Sequence, residues 1–447
     1  MRFAMSLMMR FLVCLTVLPT LVAAAEKPNI IIIMADDLGY GDISPYDGWI
    51  ETPHLEQMAA EGTRLTDYHS AGNVCSPTRA ALMTGRYQQR AGIPGVVFAD
   101  PKRAEHEHGL QDVEVTIAEE FREGGYATGM FGKWHLGYYP KYNPVRNGFD
   151  VFKGYVSGNI DFISHYDQAG NFDWWHQDKP FDEAGYVTHL IDRHSLDFIK
   201  QNKDKPFFLY LPHEAPHYPF QRPDDPGLRK EGLGAAADWA RQKGVQQEEI
   251  RERYQVMVEE MDKNVGHVLA LLKELKLDEK TFVFFCSDNG AAGKWGDNSP
   301  LRGAKGSNWE GGHRVPAIAW WPGTIPAGQT TDQLAITFDL MPTMLSAAGL
   351  EIPTERQLDG MNLLSILTGQ RSTVERTLVW NGKAVRQGEW KLMLNGKGGD
   401  KVALYNLQED LSEKTNLADQ HPELVEQLKQ VAQEWQADID ATMTPQP

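Results

Sequence analysis

Apolar runs of strand length recur between stretches of helical period through most of this chain, and that alternation predicts its architecture. Asn29 to Met34, Pro206 to Leu211 and Thr281 to Cys286 are nearly continuous in apolar residues, the pattern of strands buried on both faces. Between the last two, Glu248 to Leu275 places Val258, Met261, Val265, Val268 and Leu272 at steps of three and four, which predicts an amphipathic helix. The expected fold class is α/β, with a large, mainly parallel sheet sandwiched by helices. A polar stretch containing Pro and Gly, from Gln221 to Gly244, predicts a surface insertion. After Thr368 the pattern changes to short alternating runs, Thr377 to Asn381, Glu389 to Asn395 and Val402 to Leu407, followed by a polar helical stretch from Pro422 to Ile439. This predicts a small C-terminal antiparallel sheet closed by a helix. The expected division is a large domain over residues 26–368 and a small α+β subdomain over 369–447.

The first 25 residues change the picture at the N-terminus. Arg2 and Arg10 precede an apolar run from Phe11 to Val22, and Ala23, Ala24 and Ala25 follow, the charge, apolar and small-residue order of a secretory signal. The run is shorter than the roughly 20 residues of a membrane-spanning helix. A secreted or periplasmic protein beginning near Glu26, with no transmembrane segment after cleavage, is expected. Losing the two arginines takes the formal charge from −17 to −19. An acidic surface disfavours nucleic acid as a partner, and an anionic small substrate would need a local cluster of cationic side chains. Cys14 lies in the leader, leaving Cys75 and Cys286. Cys286 ends an apolar strand-like run, Cys75 sits where a loop enters a helix, and a disulfide between them is not expected.

Ligands of open α/β sheets lie beyond the carboxyl ends of the strands. Here two predicted strands run directly into Asp36-Asp37 and Asp288-Asn289. Either pair alone would read as a turn former or helix cap. Together they offer four oxygen-bearing side chains and suit calcium or magnesium better than zinc.

Cys75-Ser76-Pro77-Thr78-Arg79, continuing Ala-Ala-Leu-Met-Thr-Gly-Arg86, resembles the active-site signature of the type I sulfatases, members of the alkaline phosphatase superfamily. Gly132-Lys133-Trp134-His135-Leu136-Gly137, Ala215-Pro216-His217, Ser287-Asp288-Asn289-Gly290 and Gly303-Ala304-Lys305-Gly306 resemble further blocks in the family's order. Leu404-Tyr405-Asn406-Leu407 and Asn416-Leu417-Ala418 extend the likeness into the C-terminal part. Asn73 stands where the signature usually carries a small residue, and it is set aside as remote from the chemistry.

The resemblance implies hydrolysis of sulfate monoesters by a formylglycine made from Cys75, through a maturation enzyme that reads Cys75, Pro77 and Arg79. It implies one Ca2+ ion held by Asp36, Asp37, Asp288 and Asn289 beside the modified Cys75. Asp288 would also take the nucleophile's proton, Arg79 and Lys133 would hold the hydrated aldehyde, and Lys133 and Lys305 would bind sulfate oxygens. His217 would protonate the leaving group, His135 would assist release of sulfate, and the Ser157 hydroxyl would reach the sulfate site. The chemistry explains the types: a stable anion needs charge neutralisation, an in-line nucleophile and a proton for the departing oxygen.

Substrate choice is less legible. Asn159, Asp161, His165 and Trp174-Trp175-His176 lie in a Gly-, Asp- and aromatic-rich region that would either receive a sugar or simply pack a long loop. His106 and His108 would line the cleft or face solvent, and their short spacing makes a poor zinc site. An exo-acting enzyme on sulfated carbohydrate, with aryl sulfates as artificial substrates, is the expected function. The rivals are a formylglycine-dependent phosphodiester or phosphonate monoester hydrolase and, from another class, a non-catalytic glycan-binding module. Asn289 disfavours a two-zinc phosphatase, whose matching block carries an imidazole ligand.

Overall fold

The computed structural model describes residues 27–242, 244–394 and 402–446; the expected leader, with Cys14, lies outside them. The strand Asn29–Ala35 is buried along its whole length. Alternation sends Ile31 and Ile33 into one apolar cluster and Ile30, Ile32 and Met34 into another. Helices Pro53–Glu61, Val187–Asn202 and Gln247–Glu274 cover the first face. Helices Cys75–Thr84, Ile117–Glu123 and Leu340–Ala347 cover the second. A strand apolar on both sides is satisfied only between two such layers, so the expected sandwich is present.

Ten strands form the sheet, in the spatial order Gln329–Thr331, Thr63–Leu65, Ala317–Trp320, Thr281–Ser287, Asn29–Ala35, Phe207–Pro212, Ala127–Lys133, Val151–Tyr155, Trp175–His176, Lys179–Pro180. The five from Thr281–Ser287 to Val151–Tyr155 run parallel, while Ala317–Trp320 and the last two pair antiparallel with their neighbours. Ala127–Lys133 and Val151–Tyr155 escaped the apolar pattern because both carry glycine. The glycines have a physical reason: a Cβ on Gly132 would lie 2.1 Å from the Pro212 carbonyl oxygen, and one on Gly154 would lie 2.0 Å from that of Gly132.

The C-terminal sheet is a four-stranded antiparallel meander of Thr377–Trp380, Ala384–Gln387, Trp390–Met393 and Ala403–Asn406. The second of these strands was not anticipated. Helix Pro422–Thr442 closes one face through Val425, Leu428 and Ala432. The other face packs Leu378, Trp380 and Tyr405 against Ala71, Ala81 and Tyr87, behind the helix that begins at Cys75. The stretch Gln221 to Gly244 is, among its described residues, largely exposed or half-buried, and it is anchored at a few buried points. Arg229 and Asp238 form a buried ion pair at 2.7 Å, and the Leu228 and Arg229 N–H groups donate to Asp161 Oδ2 at 2.7 and 3.0 Å. Pairing is what lets those charges be buried.

Where the two sheets meet, Lys391 Nζ lies 2.8 Å from both Glu310 Oε1 and Glu413 Oε1, all three side chains buried. Alongside, His69 Nδ1 meets His313 Nδ1 at 2.9 Å and His69 Nε2 meets Asp67 Oδ1 at 2.9 Å. Asp67 also pairs with Arg314 at 3.0 Å and Arg386 at 3.2 Å. His69, Glu310 and His313 are grouped closely enough for a metal ion, but the Lys391 ammonium already supplies the cation that Glu310 and Glu413 require. Lys391→Met would strand two buried carboxylates and is expected to cost about 3–5 kcal/mol in denaturant unfolding. Burial lowers the pKa of both His69 and His313, so below pH ~6.5 the unfolded chain binds protons that the folded chain refuses. Stability measured by thermal unfolding is therefore expected to be full above that pH and to fall as the pH drops beneath it.

Candidate active site

Strands Asn29–Ala35 and Thr281–Ser287 are hydrogen-bonded neighbours, in register from Asn29 with Thr281 to Ala35 with Ser287. The acids that follow each strand must therefore emerge side by side. The Asp37 N–H donates to Asp288 Oδ1 at 3.2 Å, and Asn289 Nδ2 donates to Asp37 Oδ1 at 2.7 Å. Asp37 takes a left-handed backbone conformation, φ 65°, a strained setting for a residue with a side chain. Lys133 ends a third parallel strand, and His217 follows the end of a fourth, Phe207–Pro212.

Cys75 occupies the first turn of helix Cys75–Thr84, where the unpaired N–H groups make the field positive. Arg79 is one helical turn further on, so both side chains project from one face. Cys75 Sγ lies 3.4 Å from Asp36 Oδ1 and 3.3 Å from Lys305 Nζ. Arg79 binds Asp288 Oδ2 through Nη2 at 2.8 Å and Nε at 3.2 Å, and donates to the Lys133 carbonyl at 3.1 Å. Lys133 Nζ is 2.5 Å from Asp36 Oδ2, and Lys305 Nζ is 2.5 Å from Asp37 Oδ1. Three carboxylates and three cations thus interlock around the sulfur.

The charges respond to this packing. Burial pushes the Asp37 carboxyl up, but Lys305 and His217 more than offset it and hold it at about 2. Burial, with the charge of Asp36, pushes Asp288 up to about 6. Burial, aided by Asp288 and Asp36, pushes the Cys75 thiol well above its usual range. Cys75 and Cys286 are both buried free thiols, so no disulfide joins them.

Two histidines line the same cavity as Cys75, each with one ring nitrogen committed to a backbone carbonyl. His135 Nε2–H donates to the Val97 carbonyl at 2.9 Å, and its buried Nδ1 has no hydrogen-bond partner among the described residues. Burial and then Lys133 hold this ring far below the usual histidine range. His217 Nδ1–H donates to the Tyr218 carbonyl at 2.7 Å, leaving Nε2 3.7 Å from Asp37 Oδ2. Burial pushes its pKa down to about 3.

The residues fit a hard cation. Asp36, Asp37, Cys75 and His217 each offer a ligand atom within 4.8 Å of the others, and the Asn289 Oδ1 is buried without a hydrogen-bond partner among the described residues. An amide oxygen left unpaired in the interior costs about 1–3 kcal/mol unless something binds it, and an oxygen-dominated donor set suits Ca2+ or Mg2+.

A cavity of about 260 Å³ opens onto Asp37, Cys75, His135, His217 and Lys305. Sequence reasoning missed most of its outer wall: Val96, Val97, Phe98, Ala99, Tyr138, Gln168, Tyr218 and Ala292. These come from loops with no repeating pattern, so only the fold could gather them. His106 stands behind that wall, its Nδ1–H donating to the Phe98 carbonyl at 2.8 Å and its ring stacked on Tyr138 at 5.0 Å.

Three expected substrate residues are placed elsewhere. The Ser157 hydroxyl donates to the Asn159 carbonyl at 3.1 Å. Asp161 spends its carboxylate on the backbone N–H groups of Ile163, Ser164, Leu228 and Arg229. His165 donates from Nε2 to the Gly185 carbonyl at 2.9 Å and packs on Trp174. The Asp- and aromatic-rich region is thus a self-packed loop, and it gives the cavity only Gly158 and Gln168.

Buried acids, a helix-borne cysteine, a lysine at a parallel strand end and a second lysine on a loop define a class of hydrolytic α/β proteins, and comparison with known proteins specifies it. The Sulfatase family model matches residues 28–350, and a model described as N-sulphoglucosamine sulphohydrolase, C-terminal, matches residues 305–438. The chain belongs to the sulfatase family and is a sulfate ester hydrolase. It is 37% identical over 400 residues to N-acetylgalactosamine-6-sulfatase of Canis lupus familiaris, covering 82% of this chain and 72% of that one. It is 32% identical over 488 residues to arylsulfatase A of Homo sapiens, covering 94% and 90%. The crystal structure of Ps i-CgsB in complex with k-i-k-neocarrahexaose superposes with a TM-score of 0.80 at 30% identity, covering 94% of this chain and 95% of that one.

The fit of His135 is tight enough to test. A Cβ on Gly158 would lie 2.9 Å from His135 Nε2 and 3.0 Å from Cε1, and the ring cannot yield without loosening its bond to Val97. Gly158→Ala is expected to lower kcat on an aryl sulfate by about tenfold or more, with aldehyde content at position 75 and the thermal midpoint near those of the parent.

Proposed function

We propose that this enzyme removes sulfate from the end of a carbohydrate, with Cys75 oxidised to formylglycine and one calcium ion held by Asp36, Asp37, Asp288 and Asn289. The observation that carries the reading is the convergence of Asp36 and Lys305 on Cys75 Sγ, at 3.4 and 3.3 Å, inside the Cys75-x-Pro77-x-Arg79 segment. The thiol sulfur stands in for the oxygen of the modified residue. Hydrated formylglycine supplies one hydroxyl to attack sulfur and a second through which sulfate is later expelled. Calcium supplies the positive charge that makes an anion acceptable beside three carboxylates.

This chain's own groups do the remainder. Lys305, which lines the cavity, meets the incoming sulfuryl oxygens, and Lys133 supplies a second charge beside Asp36. Arg79 orients Asp288, which takes the nucleophile's proton. His217, its Nδ1–H committed to Tyr218, delivers a proton to the leaving oxygen from Nε2. Its charged form is favoured once the anionic ester sits beside it, against the burial that otherwise holds it at about 3. His135, its Nε2–H committed to Val97, keeps Nδ1 free to take a proton as sulfate leaves.

A cavity of about 260 Å³ is at the small end of ligand sites and suits one sulfated ring, which supports exo action. Its wall of Val97, Phe98, Tyr138 and Tyr218 offers apolar faces, and Gln168 a polar one. The likeness to N-acetylgalactosamine-6-sulfatase and to Ps i-CgsB, solved with a neocarrahexaose, supports a sulfated sugar. Export behind the leader, maturation by a formylglycine-generating enzyme and a functional division near residue 368 belong to the same proposal. No helix among the described residues is long and apolar enough to cross a membrane.

Activity is expected to rise in proportion to the aldehyde measured at position 75 by peptide mass spectrometry, with Cys75→Ala inactive and Cys75→Ser retaining at most a single sulfate. A fully thiol preparation turning over at the parent rate would refute the nucleophile. After chelation, calcium is expected to restore turnover and zinc not. Aryl sulfate, aryl phosphate and bis-aryl phosphate, compared side by side with defined sulfated sugars, separate this reading from the phosphonate and phosphodiester alternatives. Cleavage of no sugar sulfate would end the carbohydrate reading.

A further inference from the structure

Lys305 sits on a segment, 303–309, with no helix or strand to hold it, and Gly303 and Gly306 both take positive φ there. Its ammonium nonetheless stands 3.3 Å from Cys75 Sγ and 2.5 Å from Asp37. Within the loop the Ser307 N–H donates to the Ala304 carbonyl at 3.0 Å; ties to the rest of the fold run from the Lys305 N–H to the Ala291 carbonyl at 3.1 Å, from the Gly306 N–H to the Asn73 carbonyl at 2.7 Å and from His313 Nε2 to the Asn308 carbonyl at 3.2 Å. A side-chain tie completes them. Asn308 Oδ1 accepts from Asn73 Nδ2 at 3.0 Å and from Asn381 Nδ2 at 3.0 Å.

The three asparagines come from three separate parts of the fold. Asn73 precedes the cysteine helix by two residues, where the family signature usually has a small residue, and Asn308 lies three residues after Lys305. Asn381 occupies the tight turn between strands Thr377–Trp380 and Ala384–Gln387 of the C-terminal sheet, in the left-handed conformation, φ 54°, that asparagine tolerates better than most residues. The Asn381 Oδ1 is in turn fixed by Gln89 Nε2 at 2.9 Å. One acceptor oxygen therefore joins the nucleophile loop, the lysine loop and the C-terminal sheet.

We propose that Asn73, Asn308 and Asn381 form a positioning clasp that holds Lys305 at the nucleophile, which makes the C-terminal sheet part of the sulfate-binding apparatus. This inference rests on Lys305 binding sulfate in the proposed function. Asn73, set aside on sequence grounds, is thereby given a role. None of the three touches the reacting atoms; they act through the placement of one ammonium group, where errors of about 1 Å cost large factors in rate.

The test compares Asn308→Leu, which removes the acceptor at similar volume, with Asn308→Asp, which keeps it, and with Asn381→Ala and Lys305→Ala. Aldehyde content at position 75, kcat and KM on an aryl sulfate, and inhibition by inorganic sulfate are measured for each. Asn308→Leu is expected to raise KM and weaken sulfate inhibition together by about fivefold or more, in the direction of Lys305→Ala, at unchanged aldehyde content. Asn308→Asp is expected to stay within about twofold of the parent. Adding Asn381→Ala to Asn308→Leu should change little further, since both act through the same oxygen. If Lys305→Ala weakens sulfate inhibition but Asn308→Leu does not, or if Asn308→Asp is as impaired as Asn308→Leu, the clasp is overturned. If Lys305→Ala itself leaves sulfate inhibition unchanged, the sulfate-binding role of Lys305 fails, and the clasp with it.

Discussion

Everything at the active site follows from one pairing, the in-register parallel ladder between Asn29–Ala35 and Thr281–Ser287. The two strands carry their acids at the same end, so closing the ladder forces Asp36, Asp37 and Asp288 into the interior together. Three buried carboxylates repel one another and lose their hydration, a cost of several kcal/mol per ion when unpaired. The structure offsets that cost with Arg79, Lys133 and Lys305, each within hydrogen-bond distance of one carboxylate. The arrangement is therefore not neutral scaffolding. A cationic cluster able to take an anion exists because the acids had to be answered.

That constraint explains how an acidic protein can act on anionic esters. The overall charge of −17 repels a sulfate at long range, but the exposed surface is screened within about 8–10 Å at physiological salt. Inside the cavity the local balance decides. There Lys305, paired with Asp37, lines the cavity, while Lys133 and Arg79 are engaged with Asp36 and Asp288.

The C-terminal sheet contributes more than a cover. Its apolar face packs behind the cysteine helix, its Lys391 answers Glu310 and Glu413, and its Trp380 Nε1–H donates to the Ser70 carbonyl at 3.0 Å on the approach to Cys75. Segments 67–75 and 305–314, which carry Cys75 and the cavity lysine, are thus clamped from the same side. The connection between that sheet and these segments consists of packed side chains and hydrogen bonds.

Features that repeat locally were legible from the order of residues alone. Strand-length apolar runs and the period of Gln247–Glu274 announced a helix-covered parallel sheet, because burial on two faces demands apolar residues at every strand position. The blocks that converge on the cavity were legible for a similar reason: each lies within a few residues of one strand end or one helix start, so the residues that meet there, Asp36, Cys75, Lys133 and Asp288, stood out by spacing and resemblance. The features that emerge on folding lie in loops, where no period exists and contacts join residues distant in sequence. Asp161, His165 and Ser157 look like ligand residues in sequence, yet their polar atoms are spent on backbone groups. Phe98, Tyr138 and Tyr218 look unremarkable, yet they form the cavity wall. Asn73 carries no chemistry of its own, and its place beside Asn308 and Asn381 arises only when three loops meet, since a hydrogen bond between segments more than 200 residues apart leaves no trace in either segment alone.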